Sequence, residues 1–220
     1  MTHQARPAAR HVAATAAVLL AVAAAPALPD RPRPPTAPRI ATTPPDTVGA
    51  APLAGPSGLP ALAEVAARRL FLADAVAAAK FGGAGPITDP VRERELLASV
   101  AATSAEIGLP PDTGVRFFRA QIEAAKLVQR GLHARWRAYP ELRPRERPDL
   151  ATEVRPKLDR LTPRLLELLK ATGPVRAIPD RCQETLAVAR RAAGTRTRLD
   201  PLHRAALRVA LTPVCRIRDR

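Results

Sequence analysis

Between Leu62 and Lys80 apolar side chains recur every three or four residues, at Leu62, Val65, Leu72, Ala73 and Val76, the spacing of one buried face of an α-helix. Arg69 and Lys80 fall on the same stripe. The 11 residues from one to the other, at about 100° each, bring Lys80 back to within about 20° of Arg69. Arg68 lies about 100° to the side and can stay in water. The other two cations point together toward the interior. Burying unpaired charge is costly, so this helix suits only a fold that brings something anionic to both.

The rest of the chain supports a helical fold. The 46% apolar content is enough for a core, but only 3% of residues are aromatic, so that core must be built from Ala, Leu and Val. Ala and Leu favour helix, and Gly and Pro cluster between long periodic segments instead of at strand spacing. The pattern predicts an all-α protein of about six helices. The first covers 61–81 and stops at FGGAGP. The second starts at Pro90 behind the N-cap Asp89 and ends at Gly108. The third, over 110–139, has the stripe Phe118, Gln121, Ile122, Ala125, Gln129, Leu132 and Trp136. A fourth runs from Leu150 to Ala171, where Pro156 and Pro163 predict a late start or a kink. These segments make a core over 61–172, and 173–220 reads as a C-terminal helical hairpin.

The amino terminus points to export. Arg6 and Arg10 precede an uncharged run from Ala13 to Val22, and APA at 25–27 supplies the small residues of a cleavage site, so 1–27 reads as a signal peptide. The run is short and followed by Pro26 and Pro29, which disfavours a spanning helix, and no stable membrane insertion is expected after cleavage. Residues 28–60 hold ten prolines and no periodic face, as an extended, disordered linker would. Cys182 and Cys215 either pair, as an oxidising compartment would favour, or remain two buried thiols.

The net charge of +15 raises nucleic acid as a partner, but the 31 arginines are spread over every segment without aromatic interleaving, and none is expected. With only 4 lysines beside them, a lysine at a chosen position is informative. The four histidines are scattered without ligand spacing, so no metal site is expected. No phosphate-binding or dinucleotide fingerprint follows a strand, and three serines make a hydrolase triad a poor reading. A catalyst built this way would work without cofactor or covalent intermediate. What remains is a set of polar groups on inner helix faces: Arg69, Lys80, Asp89, Arg92, Gln129 and Arg155. Singly each has a structural explanation: a cap for Asp89, solvated charges for Arg92 and Arg155, a satisfied core amide for Gln129. Together they enclose more positive charge than Asp89 can balance, which implies a small ligand with more than one negative charge.

The register of these residues resembles the secreted chorismate mutases of the all-helical AroQ class, in its exported gamma subclass. The similarity lies in the order Arg69, Lys80, Asp89, Arg92, in FFRAQIEAAKLVQ with Gln121 and Gln129, in PDLATEVRPKLDRL with Arg155, and in the pair Cys182 and Cys215, which matches that subclass's disulfide. The resemblance implies an AroQ helical bundle with a disulfide-linked C-terminal hairpin. It also implies a homodimer of single-chain active sites and the cofactor-free Claisen rearrangement of chorismate to prephenate. Arg69, Arg92 and Arg155 would then hold carboxylates. Lys80 and Gln129 would donate to the breaking ether oxygen, with Arg69 completing the catalytic set. Asp89 and Glu93 would position the hydroxyl and neighbouring cations. Ala125 stands in the substrate pocket where relatives often have Ser or Thr, Leu96 replaces a polar residue, and Gln129 is Glu in some members. A catalytically weak, secreted helical anion-binding protein on this scaffold is the alternative.

Overall fold

The computed structural model describes residues 58–83 and 85–215. The expected signal peptide and residues 28–57 of the expected linker lie outside the described residues. Seven helices form: α1 (Leu59–Lys80), α2 (Pro90–Glu106), α3 (Pro111–Ala138), α4 (Arg155–Ala171), the single turn α5 (Gly173–Arg176), α6 (Pro179–Arg196) and α7 (Pro201–Leu211). A 3-10 turn at Pro140–Leu142 and a π-helical turn at Leu150–Val154 precede α4, and no strand occurs among the described residues. None of these helices is long and apolar enough to cross a membrane.

Proline explains the helix starts. All seven helices carry Pro at the first or second position, where its fixed φ suits the helix and its missing N–H costs no bond. Asp89 accepts from the Arg92 backbone N–H at 3.1 Å and Asp200 from that of His203 at 2.8 Å, capping α2 and α7. Asp149 caps the π turn through Ala151 and Thr152. Helix α4 does start late, with Pro156 second, and Pro163 is accommodated inside it. Helix α1 begins two residues before the expected 61, with Gly58 at φ 91° turning the chain into it.

Helix α1 is the hub, packed against α3, α4, α6 and α7. Its fully buried positions, among them Leu62, Ala63, Ala66, Ala67, Leu70 and Ala77, cover an arc of about 140°. The stripe read from the sequence as core-facing is only partly so. Val65, Leu72, Val76 and Lys80 are half-buried, and Val76 and Lys80 are so because they line a cavity. Alanine makes this possible: small side chains let four helices approach one without voids.

Residues 61–172 and 173–215 share one hydrophobic core that runs from Leu59 to Cys215. The two C-terminal helices of the expected hairpin pack mainly on other elements, α6 along α1 and α7 along α3, and only sparsely on each other. A Cβ at Gly131 of α3 would lie 2.7 Å from a Leu202 methyl, so the glycine permits this close approach to α7. Buried Gln121 reinforces it, donating to the Ala210 carbonyl at 3.0 Å. Cys182 and Cys215 form a disulfide that closes 33 residues of chain, a constraint stabilising the fold by about 4 kcal/mol in the chain-entropy picture.

His203, 3% exposed, locks α7 to α1. Its Nδ1 lies 3.0 Å from Asp200 Oδ1 and its Nε2 2.9 Å from Asp74 Oδ1, while Phe71 stacks on the ring at 5.5 Å. Both nitrogens face acceptors, so both donate and the ring is an imidazolium. The Asp74 carboxylate does most to raise its pKa, from 6.5 to about 9, against burial and with help from Asp200. A raised folded value means that this stabilisation is fully present below pH 6.5 and lost as pH rises through 9. Thermal midpoints measured across that window should fall in the native chain relative to His203→Gln. Parallel pH profiles would show that the network adds no charge-dependent stability.

Candidate active site

The half-buried side of α1, the first turns of α2, the middle of α3, the π turn and the start of α4 enclose a cavity of about 260 Å³. That is near the lower end of the roughly 300–1,000 Å³ typical of small-ligand sites, enough for one small molecule. Arg69, Lys80, Asp89, Arg92, Glu93, Ala125, Gln129 and Arg155, singled out in the sequence, all line it.

Arg69 is 6% exposed, yet among the described residues no carboxylate forms an ion pair with it. Its guanidinium sits 5.7 Å from the centre of the Phe118 ring, a face that suits a cation. Its buried Nε has no hydrogen-bond partner. Burial pushes its pKa down to about 10, with Asp159 restoring part of the loss, so it stays charged at neutral pH. A buried, charged, incompletely bonded guanidinium is prepared for an anion.

Lys80 is held differently. Gly82 and Gly85, at φ 82° and 95°, turn the loop after α1 back so that the Pro86 and Ile87 carbonyls accept from Nζ at 2.8 and 3.1 Å. Neutral acceptors orient the ammonium without cancelling its charge, and one of its three N–H donors remains. Burial lowers its pKa; Asp89 and Glu93 oppose that, while Arg155 and Lys126 add to it.

Asp89 and Glu93 are engaged with their own helix and with α3. While Asp89 caps α2, its backbone N–H donates to Glu93 Oε1 at 3.3 Å. Glu93 Oε2 accepts from Lys126 Nζ at 2.8 Å, and Lys126 also donates to Glu123 at 2.9 Å. Burial works against the Lys126 charge, but the two carboxylates more than offset it and its pKa is raised. Gln129, 5% exposed, donates to the Ala125 carbonyl at 3.2 Å, leaving its second N–H and its unpartnered Oε1. Arg92 and Arg155 are exposed at the rim, Arg92 between Glu95 at 3.3 Å and Asp159 at 3.9 Å.

Lys126, Asp159 and Thr162 also line the cavity and were not identified from the sequence. Lys126, three residues after Glu123, has the spacing of a solvated surface pair, and its type was the one available signal in a chain with 4 lysines. Asp159 follows Arg155 by one turn and so shares its face. With them the lining holds five cations (Arg69, Lys80, Arg92, Lys126, Arg155) against three carboxylates (Asp89, Glu93, Asp159). The excess of two positive charges matches a small dianion. Ala73, Val76, Ile122 and Leu158 supply an apolar wall. Among the described residues no group of three or more His, Cys, Asp or Glu is placed to hold a metal ion.

Residues 61–130 match the family chorismate mutase type II. The secreted chorismate mutase of Mycolicibacterium smegmatis is 36% identical over 160 residues, 73% of this chain and 87% of that protein. The secreted chorismate mutase of Mycobacterium tuberculosis is 32% identical, over 73% of this chain and 80% of that one. Among solved structures, the chorismate mutase from Burkholderia thailandensis superposes with a TM-score of 0.68 at 41% identity, covering 71% of this chain and 98% of the other. The fold, the dianion-sized cationic cavity and these similarities agree: the chain belongs to the type II, AroQ-class chorismate mutase family.

Proposed function

We propose that the chain catalyses the Claisen rearrangement of chorismate, a dicarboxylate, to prephenate in the cavity between α1, α2, α3 and α4. The observation that carries this is the buried Arg69, charged and without a carboxylate partner, in a lining with two excess positive charges. The reaction needs no nucleophile and no proton transfer. As the ether C–O bond breaks and the new C–C bond forms, negative charge gathers on the ether oxygen. Arg69, Arg92 and Arg155 hold the two carboxylates and select the compact conformer that can react. The remaining N–H donors of Lys80 and Gln129 meet the ether oxygen. Each such fixed donor in a closed site contributes about 3 to 4 kcal/mol to the rate. Glu93 acts through Lys126, and Asp89 fixes the helix start that carries Arg92 and Glu93. The alternative of an anion-binding protein without turnover is not favoured, since the chemical set is complete even though Ala125 offers no hydroxyl.

The chain is exported through the signal peptide at 1–27, to the periplasm or beyond the cell. The Cys182–Cys215 disulfide and the secreted relatives support this reading. The enzyme is a homodimer in which each chain carries its own cavity, a reading that rests on family resemblance.

Chorismate loss and prephenate formation should be followed with the chain beginning at residue 28. Lys80→Ala should lower kcat by about 100- to 1,000-fold; equal turnover in both would sink the mechanism. An amide has no proton to lose, so the native chain should not show a single steep ionisation in kcat between about pH 5 and 8. Gln129→Glu should introduce one, with activity falling as the carboxyl ionises. The same ionisation in both chains would exclude Gln129 as the donor.

A further inference from the structure

The seam between α6 and α7 contributes nothing to the catalytic cavity, yet among the described residues it gathers four arginines around one cavity. A cavity of about 340 Å³ there is lined by Arg190, Arg191, Arg204 and Arg208, with Gly194, Thr195 and Leu207. It continues into a groove of about 310 Å³ that shares Arg190 and Arg208 and adds Leu186 and Leu211 as an apolar floor. Among the described residues no carboxylate lines either part.

Ion pairs elsewhere hold Arg68 beside Glu64, Arg92 beside Glu95 and Arg130 beside Glu123, while other exposed arginines, such as Arg119 and Arg164, stand singly among the described residues; the seam differs in gathering four around one cavity. Among the described residues none of the four seam arginines has an ion pair or a side-chain hydrogen bond. Of the nearest acids in the sequence, Asp200, four residues before Arg204, is already engaged by His203, and Glu184, six residues before Arg190, does not line the seam. Burial and then the charges of Arg208 and Arg191 depress the Arg190 pKa, so these guanidiniums feel one another across the seam. The two helices cannot simply separate to relieve this. Helix α6 is packed on α1, helix α7 on α3, and the disulfide joins Cys182 in α6 to Cys215 just beyond α7.

We propose that this seam is a second ligand site, separate from the catalytic cavity, that binds a phosphate-class oxyanion carried on an apolar body. Four guanidinium forks without acids exceed what a single carboxylate needs, whereas a phosphate offers several tetrahedral oxygens that accept from more than one arginine at once. The Thr195 hydroxyl is a further donor, and the Leu186 and Leu211 floor receives the apolar part. The phosphate is either that of a free phosphate compound or that of an anionic lipid headgroup.

The test uses the chain from residue 28 and two double variants of equal charge. Arg190→Gln with Arg208→Gln alters the seam; Arg119→Gln with Arg164→Gln alters exposed arginines on α3 and α4. Pyrophosphate binding is read by calorimetry, and cosedimentation is read with phosphatidylglycerol against phosphatidylcholine vesicles. The seam variant should bind at least about tenfold more weakly while the control variant matches the native chain and both keep native chorismate turnover. Binding of pyrophosphate alone identifies a free phosphate compound; selective binding of phosphatidylglycerol vesicles identifies the headgroup. The proposal is overturned if the native chain binds neither probe, or if the control variant loses as much affinity as the seam variant.

Discussion

The burial of Arg69 is the constraint on which the other features depend. A guanidinium inside a helical core, with the Phe118 face as its apolar neighbour and no carboxylate pair, is a cost that the remaining fold has to carry. It does so through the alanines of α1, which let α3, α4, α6 and α7 close around that helix tightly enough to hold the charged side in place. The cavity beside Arg69 stays open because its other wall is made of charged groups that cannot collapse onto it. Lys80 is held by carbonyls, Lys126 by Glu93 and Glu123, and Arg92 by Glu95 and Asp159. Each is oriented by contacts within the protein, and the cavity lining as a whole carries two more cations than carboxylates.

This division of labour separates positioning from chemistry. Asp89 and Glu93, which the resemblance gives positioning roles, are committed to a helix cap and to a lysine. The groups with capacity left are Arg69 Nε, one N–H of Lys80 and the second N–H of Gln129. Donors left unmet around an apolar wall suit a reaction in which charge develops but no proton moves.

Much of the site was legible because helical register places distant residues together without knowledge of the tertiary fold. Arg69 and Lys80 share a face by spacing alone, and the helix starts follow from proline and aspartate chemistry that is local. Other features depend on what packs where. Most alanines of α1 fall outside the stripe read from the sequence, although they form the more deeply buried surface, because a side chain's size does not say how many neighbours it will meet. Lys126 was missed because Glu123 gives it the spacing of an exposed pair, and only the approach of α2 buries it. Gly173 and Pro174 follow the end of α4 but also begin the single turn α5, since proline at an early helical position starts a helix as readily as it stops one. The separation of α6 from α7 onto different partners could not be read from a pattern of two adjacent amphipathic segments.

The fold tolerates a buried cation, only partly compensated by Asp159, for the sake of its substrate. Replacing Arg69 with methionine, which keeps length and removes charge, tests it directly when thermal midpoint and chorismate turnover are measured on the same samples. The predicted result is a higher midpoint than the native chain in the absence of substrate, together with a loss of turnover of at least about 100-fold. A lower midpoint, or turnover close to native, would contradict it, showing that Arg69 is a structural group satisfied within the protein.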